Sequence, residues 1–337
     1  MITIKDIARE AGFSVSTVSR VVGGRRDVSP ATAKSIQAVI DRHHFSVNRS
    51  ARNLKRADTH TVLILVKGHS NMLFAAMIEH VQSEVRATGN STVVQYLDED
   101  ENEVEAAERL VTDVKPSGVF FLGANADHFH SHAARIGTAF PAVVLTNSME
   151  GLGKPAISSV STDDALGARL AVEHLIACGH RQIGVIGGNP QLSTTSRLRL
   201  RGVTQALAAH RLPFAADSHY AATRYSLECG YRCAGQLLER CPELTAIYAM
   251  SDIMAIGALR ALGDLGVGVP GQVSLVGHDG VELSGYTLPR LTTIVQPQLD
   301  LAASGTKILL RHIAGDGKPS YETVGASLRE GESVRRA

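Results

Sequence analysis

The chain is 337 residues long, 44% apolar and 20% charged, with a net charge of +1, values that exclude a disordered or fibrous protein and leave room for a small module plus a larger body. No stretch of about 18 apolar residues occurs and residues 1–6 hold no apolar signal core, so neither a membrane span nor export is expected, and the cytoplasm is the expected compartment. The charge is uneven: residues 1–58 carry 11 Lys and Arg against 5 Asp and Glu while the remainder is mildly acidic, as expected when one part meets a polyanion and the other does not.

In chain order, the first elements are short helices. Ile4, Ile7, Ala8 and Ala11 make an apolar stripe at helical spacing. Gly12 and Phe13 break it, and Ser14 is placed to cap a second helix over 15–22 that turns Val18, Val21 and Val22 inward. Gly23 and Gly24 end that helix. Ser29 and Pro30 then provide an N-cap and a first-turn proline for a third helix, whose buried face is Ala33, Ile36, Val39 and Ile40. This spacing suits a helix-turn-helix: Ala8 is small where two helices cross, Gly12 permits the turn, and Val15, Ser16, Ser19 and Arg20 face outward. Arg20 offers a donor fork for guanine or phosphate, Ser16 and Thr17 can bond bases or backbone, and Val15 can touch a thymine methyl. A docking or dimerisation module is the competing reading of three short helices. From 45 to 57 the chain turns polar and basic, the pattern of a linker or of a segment that folds on its target.

Beyond Thr61, apolar strands at 62–66, 92–94, 118–122, 141–145, 183–186, 246–249 and 273–276 alternate with helical stretches. Uninterrupted apolar strands between helices predict parallel sheets covered on both faces. The number of units, with Gly123, Gly187 and Gly188 at strand ends, favours two α/β lobes around a cleft over a single β/α barrel. Several groupings read as bland. His128, His130 and His132 fall on a helix at i, i+2 and i+4, so only two share a face, and a solvated or satisfied surface is expected rather than a metal site. Asp98, Glu99, Asp100 and Glu101 read as a solvated charge run leading into a helix N-terminus. Cys178, Cys229, Cys233 and Cys241 lack zinc-ligand spacing and read as reduced structural thiols. Residues 187–190 lack the lysine and spacing of a phosphate loop. No metal and no cofactor are expected.

The segments Thr3-Ile4-Lys5-Asp6-Ile7-Ala8-Arg9-Glu10-Ala11-Gly12-Phe13-Ser14 and Thr17-Val18-Ser19-Arg20-Val21 closely resemble the start of lactose-repressor family regulators. Val28-Ser29-Pro30-Ala31-Thr32 and Asn48-Arg49-Ser50-Ala51-Arg52-Asn53-Leu54 are similar to the family's continuation, and the likeness runs through nearly the whole chain. It implies a DNA-facing set of Thr3, Ser14, Val15, Ser16, Thr17, Ser19 and Arg20. It further implies a hinge helix on the operator, with Asn48 and Ala51 in the minor groove and Leu54 as the wedge that opens a base step. Val47 stands where the family has proline, and Gly23 where it commonly has asparagine.

The body resembles the family's sugar-binding core, which is itself similar to periplasmic sugar-binding proteins. Ser70-Asn71-Met72-Leu73-Phe74 replaces the family's Ser-Asn-Pro-Phe-Phe, so one wall is aliphatic rather than doubly aromatic. The stretch 192–202 places Arg199 where the family holds sugar hydroxyls, Tyr225 falls where it has an aromatic platform, and 251–255, 277–279 and 291–296 match two pocket loops and a lobe crossover. The implied effector site is Asn71, Leu73, Phe74, Thr162, Ser193, Arg199, Tyr225, Asp252, Asp279 and Gln296. These residue types suit a polyol, with an aromatic face for the apolar side of the sugar and charge-assisted bonds to adjacent hydroxyls. Asp252 serves equally as a helix cap, and Tyr225, Phe74 and Leu73 equally as core.

The expected organisation is therefore a helix-turn-helix domain over 1–46, a hinge over 47–59 and a two-lobed effector and dimerisation domain over 60–337. Lobe 1 is expected at about 60–160 and 296–320, and lobe 2 at about 161–295 and 321–337. The expected function is a repressor that binds double-stranded operator DNA as a homodimer and responds to a sugar or sugar derivative. No leucine heptads follow residue 333, so a tetramer is not expected. A stand-alone solute-binding protein and a sugar-processing enzyme are the rival classes. The basic module speaks against the first, and the lack of a nucleophile–base pair or of paired carboxylates at a credible site against the second.

Overall fold

The computed structural model describes residues 4–22, 28–43, 60–69, 71–130, 140–152 and 157–337. The chain divides into two compact units, Met1–Thr59 and His60–Ala337.

The first unit is built on α1 (Ile4–Ala11), α2 (Val15–Val22) and α3 (Pro30–Arg42). Ile7, Ala8, Val18, Ile36 and Val39 are buried together, with Ala11, Phe13, Val21 and Ile40 packed against them. Gly12 turns the chain with φ of 74°, a left-handed conformation that glycine adopts without steric penalty. The Ser14 hydroxyl accepts from Thr17 N–H at 3.1 Å and Ser29 accepts from Thr32 N–H at 3.2 Å, so both following helices start on a side-chain cap. Glu10 ties α1 to the end of α3 through Arg42 at 2.9 Å and His43 at 2.6 Å.

The second unit contains two sheets. The first lobe holds β1 (Thr61–Lys67), α4 (Leu73–Ala87), β2 (Ser91–Leu97), α5 (Glu103–Val114), β3 (Gly118–Leu122), β4 (Ala142–Thr146) and β5 (Ser158–Thr162). The second lobe continues with α6 (Asp164–Ala177), β6 (Ile183–Gly187), α7 (Thr194–Ala209), the short α8 (Ala216–His219), β7 (Tyr220–Ala222) and α9 (Leu227–Arg240). Then come β8 (Ala246–Ala249), α10 (Asp252–Asp264), β9 (Ser274–Asp279) and β10 (Thr292–Val295). The chain returns to the first lobe for α11 (Gln298–Ile313) and β11 (Tyr321–Val324), and crosses again for β12 (Ser327–Arg329). The sheet orders are β11-β5-β4-β3-β1-β2 and β12-β10-β9-β8-β6-β7. Two open sheets exclude the barrel, and the pairing is parallel apart from β12, which runs antiparallel to β10.

Strand alternation divides each core. Val62, Ile64 and Val66 point to α4 and α11, whereas Leu63 and Leu65 point to Val104, Ala106 and Ala107 of α5. In the second lobe Ile247 and Leu275 pack toward α9 and α10, and Tyr248 and Val276 toward α6 and α7. Both sheets are therefore covered on two faces.

The lobe boundaries differ from those the sequence suggests. β5 continues to Thr162, and residues 321–324 form β11, which pairs with β5 and belongs to the first lobe, not the second. The boundary near 320 falls instead beyond Val324. β11 is an exposed edge strand, so its Tyr-Glu-Thr-Val lacks the apolar run that reveals a central strand.

Candidate functional site

On the first unit, α2 exposes Val15 at 41%, and Ser14, Ser16 and Arg20 are exposed with Thr17 half-buried. The Ser14 hydroxyl lies 2.7 Å from that of Ser16 and 2.8 Å from that of Thr17, which gathers hydroxyls at the start of the helix. Such a surface offers donors, acceptors and one cation to a groove, while Val18 holds the other side of the helix in the core. Thr3, Asn48, Ala51, Leu54 and the hinge over 47–59 lie outside the described residues, as does the side chain of Ser19.

On the second unit, a cavity of about 410 Å³ opens between the lobes, within the range of small-molecule sites. Asn71, Leu73 and Phe74 reach it from the start of α4, and Ser193 and Arg199 from α7. Tyr225 comes from the turn before α9, Asp279 from the end of β9, and Gln296 from the segment leaving β10. Thr162 and Asp252 do not reach the wall. Thr162, the last residue of β5, donates to Gln296 Oε1 at 2.7 Å. Asp252 lies one layer below, accepting from Val281 N–H at 2.8 Å and from the Thr293 hydroxyl at 2.5 Å. The N-cap of α10 is Ser251.

The floor of the cavity is a buried polar chain. Arg199 is 4% and Asp279 2% exposed. Arg199 Nε donates to Asp164 at 2.7 Å, Nη1 donates to the Met250 carbonyl, and Asp279 Oδ1 stands 3.5 Å from Nη2. Gln296 Nε2 donates to the same Asp279 oxygen at 2.8 Å. The chain thus runs Thr162–Gln296–Asp279–Arg199–Asp164 and touches both places where the backbone first leaves each sheet. Burial opposes the Arg199 charge, but Asp164 and Asp279 outweigh it and raise its pKa. Burial pushes the Asp279 carboxyl up to about 6 against the pull of Arg199 and Gln296, and burial with the neighbouring Asp279 charge pushes Asp252 up to about 7.

The charge run over 98–101 is not merely solvated. Glu99 and Asp100 line the cavity, and Arg224 of the other lobe bonds Asp98 at 2.8 Å and also Asp100. Glu99 accepts from Tyr225 N–H at 3.1 Å. These residues follow the C-terminal end of β2, and that position was the available signal, because ligands sit beyond the carboxyl ends of parallel strands. Asn125 was also missed. It lines the cavity and crosses between lobes, donating to the Leu192 carbonyl at 2.9 Å and accepting from the Thr194 hydroxyl at 2.6 Å. His128 bonds the buried Glu103 at 2.8 Å, and among the described residues no group of His, Cys, Asp and Glu is arranged to hold a metal ion. Among them, too, no helix is long and apolar enough to cross a membrane.

Comparison with known proteins follows the same division. Residues 3–48 match the bacterial regulatory proteins of the lacI family, and residues 172–334 match a periplasmic binding protein-like domain. The HTH-type transcriptional regulator GalR of Salmonella typhimurium is 35% identical over 312 residues, 92% of this chain and 89% of that protein. The structure of the Lac repressor dimer bound to operator and the anti-inducer ONPF superposes with a TM-score of 0.77 at 28% identity, covering 99% of both chains. A CelR–cellobiose complex superposes with a TM-score of 0.73 at 26% identity, over 99% of this chain and 100% of that one. A helix-turn-helix with a DNA-suited face, a two-sheet body around a polar cleft and a relative 35% identical over 92% of the chain place the chain in the lacI family of bacterial regulatory proteins.

Proposed function

We propose that this protein is a cytoplasmic, homodimeric transcription repressor whose operator binding is switched by a small polyol held between its lobes. The observation that carries the reading is the buried chain Thr162–Gln296–Asp279–Arg199–Asp164. A ligand bonded to Arg199 and Asp279 acts directly on groups fastened to both lobe crossovers, so occupancy and lobe orientation are coupled. The solved relatives support the two ligand classes: one holds operator DNA and the other cellobiose. Operator contact falls to Thr3, Ser14, Val15, Ser16, Thr17, Ser19 and Arg20, with Asn48, Ala51 and Leu54 reading the minor groove. The effector falls to Asn71, Leu73, Phe74, Ser193, Arg199, Tyr225, Asp279 and Gln296, supported by Thr162 and Asp252. The protein binds its sugar and releases it unchanged, so turnover of a bound sugar would overturn the reading.

The test is Asp279→Ala. Fluorescence anisotropy of a labelled operator should show binding by the variant close to wild type. The effector should shift wild-type affinity by about 5–150-fold, the span of ordinary allosteric coupling, and leave the variant unmoved. A variant that still responds normally removes Asp279 from the site.

A further inference from the structure

The way charge is paired around the cavity restricts what can enter it. Lys67, Arg199, Arg224 and Arg232 reach the wall, and each already faces a carboxylate. Lys67, half-buried at the wall, stands 2.8 Å from the buried Glu103. Arg199 is held by Asp164 and Asp279, and Arg224 by Asp98 and Asp100. Arg232, exposed at the rim, donates to Cys229 Sγ at 3.5 Å and has Glu228 at 3.8 Å, the loosest pairing of the four.

Among the described residues, three helix N-termini reach the cavity and their first N–H groups have partners: Ser193 caps α7 through Ser196 N–H at 3.2 Å, Ser226 caps α9 through Cys229 N–H at 3.2 Å, and at α4, which has no N-cap side-chain bond, Leu73 N–H donates to Asn71 Oδ1 at 3.1 Å and Phe74 N–H to the Asn71 carbonyl at 3.3 Å. Glu99 is the opposite case. Its carboxylate lines the cavity with a backbone N–H of Tyr225 as partner, and the cation that acts on it, Arg224, is committed to two aspartates.

We infer that the site selects an uncharged polyol and turns away phosphate esters and sugar acids, and that Glu99 sets this preference. The inference deepens the effector reading above and rests on it. A phosphate or carboxylate on the ligand needs donors carrying unneutralised positive charge. Here it would have to pull a cation from an existing pair, or lie beside the half-buried carboxylate of Glu99 and meet its like charge. A polyol meets no such penalty. An ionised carboxylate only accepts hydrogen bonds, and Glu99 keeps lone pairs free for ligand hydroxyls after the Tyr225 bond is made.

The test uses the full chain, with titration calorimetry and thermal shift on matched ligands. The set is glucose, galactose, ribose and cellobiose against glucose 6-phosphate, galactose 6-phosphate, ribose 5-phosphate, cellobiose 6′-phosphate, glucuronate and galacturonate. The neutral member that binds should do so at least about tenfold more tightly than its charged form, the ratio expected from one uncompensated like charge nearby. Glu99→Gln retains an oxygen for Tyr225 N–H, and should shrink that ratio to about threefold or less. Tighter binding of a phosphate or uronate by the wild type overturns the inference. If Arg232→Gln then abolishes that binding, Arg232 is the anion seat instead. Selectivity unchanged in Glu99→Gln removes Glu99 from the role. No stabilisation by any sugar, charged or neutral, is a different failure and brings down the effector reading itself.

Discussion

Asp279 holds its backbone at φ of 106°, a region in which a non-glycine residue is strained by on the order of 1 kcal/mol or more. The strain is held by Gln296, whose N–H donates to the Asp279 carbonyl at 3.1 Å while its side chain donates to the carboxylate. The same geometry fastens the lobe crossover to the cavity floor. Asp252, beneath it, titrates at about 7 because burial and the Asp279 charge disfavour its anion. Its folded pKa is raised above the unfolded one, so its contribution to stability is present below about pH 4 and lost as pH rises through about 7. Asp252→Asn mimics the protonated acid. Thermal melts should show the variant gaining on wild type steadily from pH 4 to 7, and a falling difference would mean that the hydrogen bonds to the anion outweigh its burial. On the DNA side, Arg20→Ala should weaken operator binding and lower its dependence on salt by about one charge if Arg20 meets phosphate. A changed base preference would mean that it meets guanine instead. Arg199, Asp279 and Tyr225 were legible from residue type and motif position. Glu99 offered only its place beyond β2, and Asn125 and Arg224 were not legible, because the partners of the three, Tyr225, Thr194 and Asp98, lie far away in the chain.

The elements that hold these residues are set by contacts of different kinds. In the second lobe α6 packs on α7 and α9 on α10 closely enough that backbone meets backbone. A Cβ on Gly202 of α7 would stand 2.1 Å from the Ala165 carbonyl oxygen of α6. Gly202→Ala should therefore destabilise the protein by about 1–3 kcal/mol or more, the usual result of overpacking. Gly263, in α10, faces open space, and Gly263→Ala should instead stabilise by about 0.4–1 kcal/mol. Chemical denaturation of both variants checks the pair, and equal effects would show that packing does not distinguish the sites. The central strands were readable because burial on both faces demands apolar runs such as those at 62–66 and 246–249. β5 was not, since it is buried but reads Ser-Ser-Val-Ser-Thr. Its hydroxyls are satisfied by distant groups: Ser159 accepts from Met149 N–H at 2.9 Å and Ser158 from Ser320 N–H at 3.0 Å. Polar residues in a buried strand carry no strand signature until those partners are known.

For the body as a whole, the two lobes meet through polar contacts around the cavity. Arg224 bridges to Asp98 and Asp100, Arg197 to Asp127 at 3.1 Å, and Thr195 to Asn147 at 3.0 Å. The ion pairs are solvent-exposed and so screened by salt. Arg224→Ala should leave the melting temperature nearly unchanged yet weaken effector binding, with the difference from wild type shrinking at high salt. Calorimetry at low and high ionic strength reads this directly, and equal affinity in both proteins would show that the bridge does not help close the cleft. The sequence by itself determined the helix-turn-helix, the α/β character of the body and the residue types suited to a polyol, because caps, turns and apolar periodicity are local signals. Only the tertiary structure decided that β11 joins the first sheet, that Thr162 and Asp252 support the cavity rather than line it, and that an acidic run closes over it. The reason is physical: pairing of edge strands and charges depends on which distant segments become neighbours, and a residue's own type does not record that.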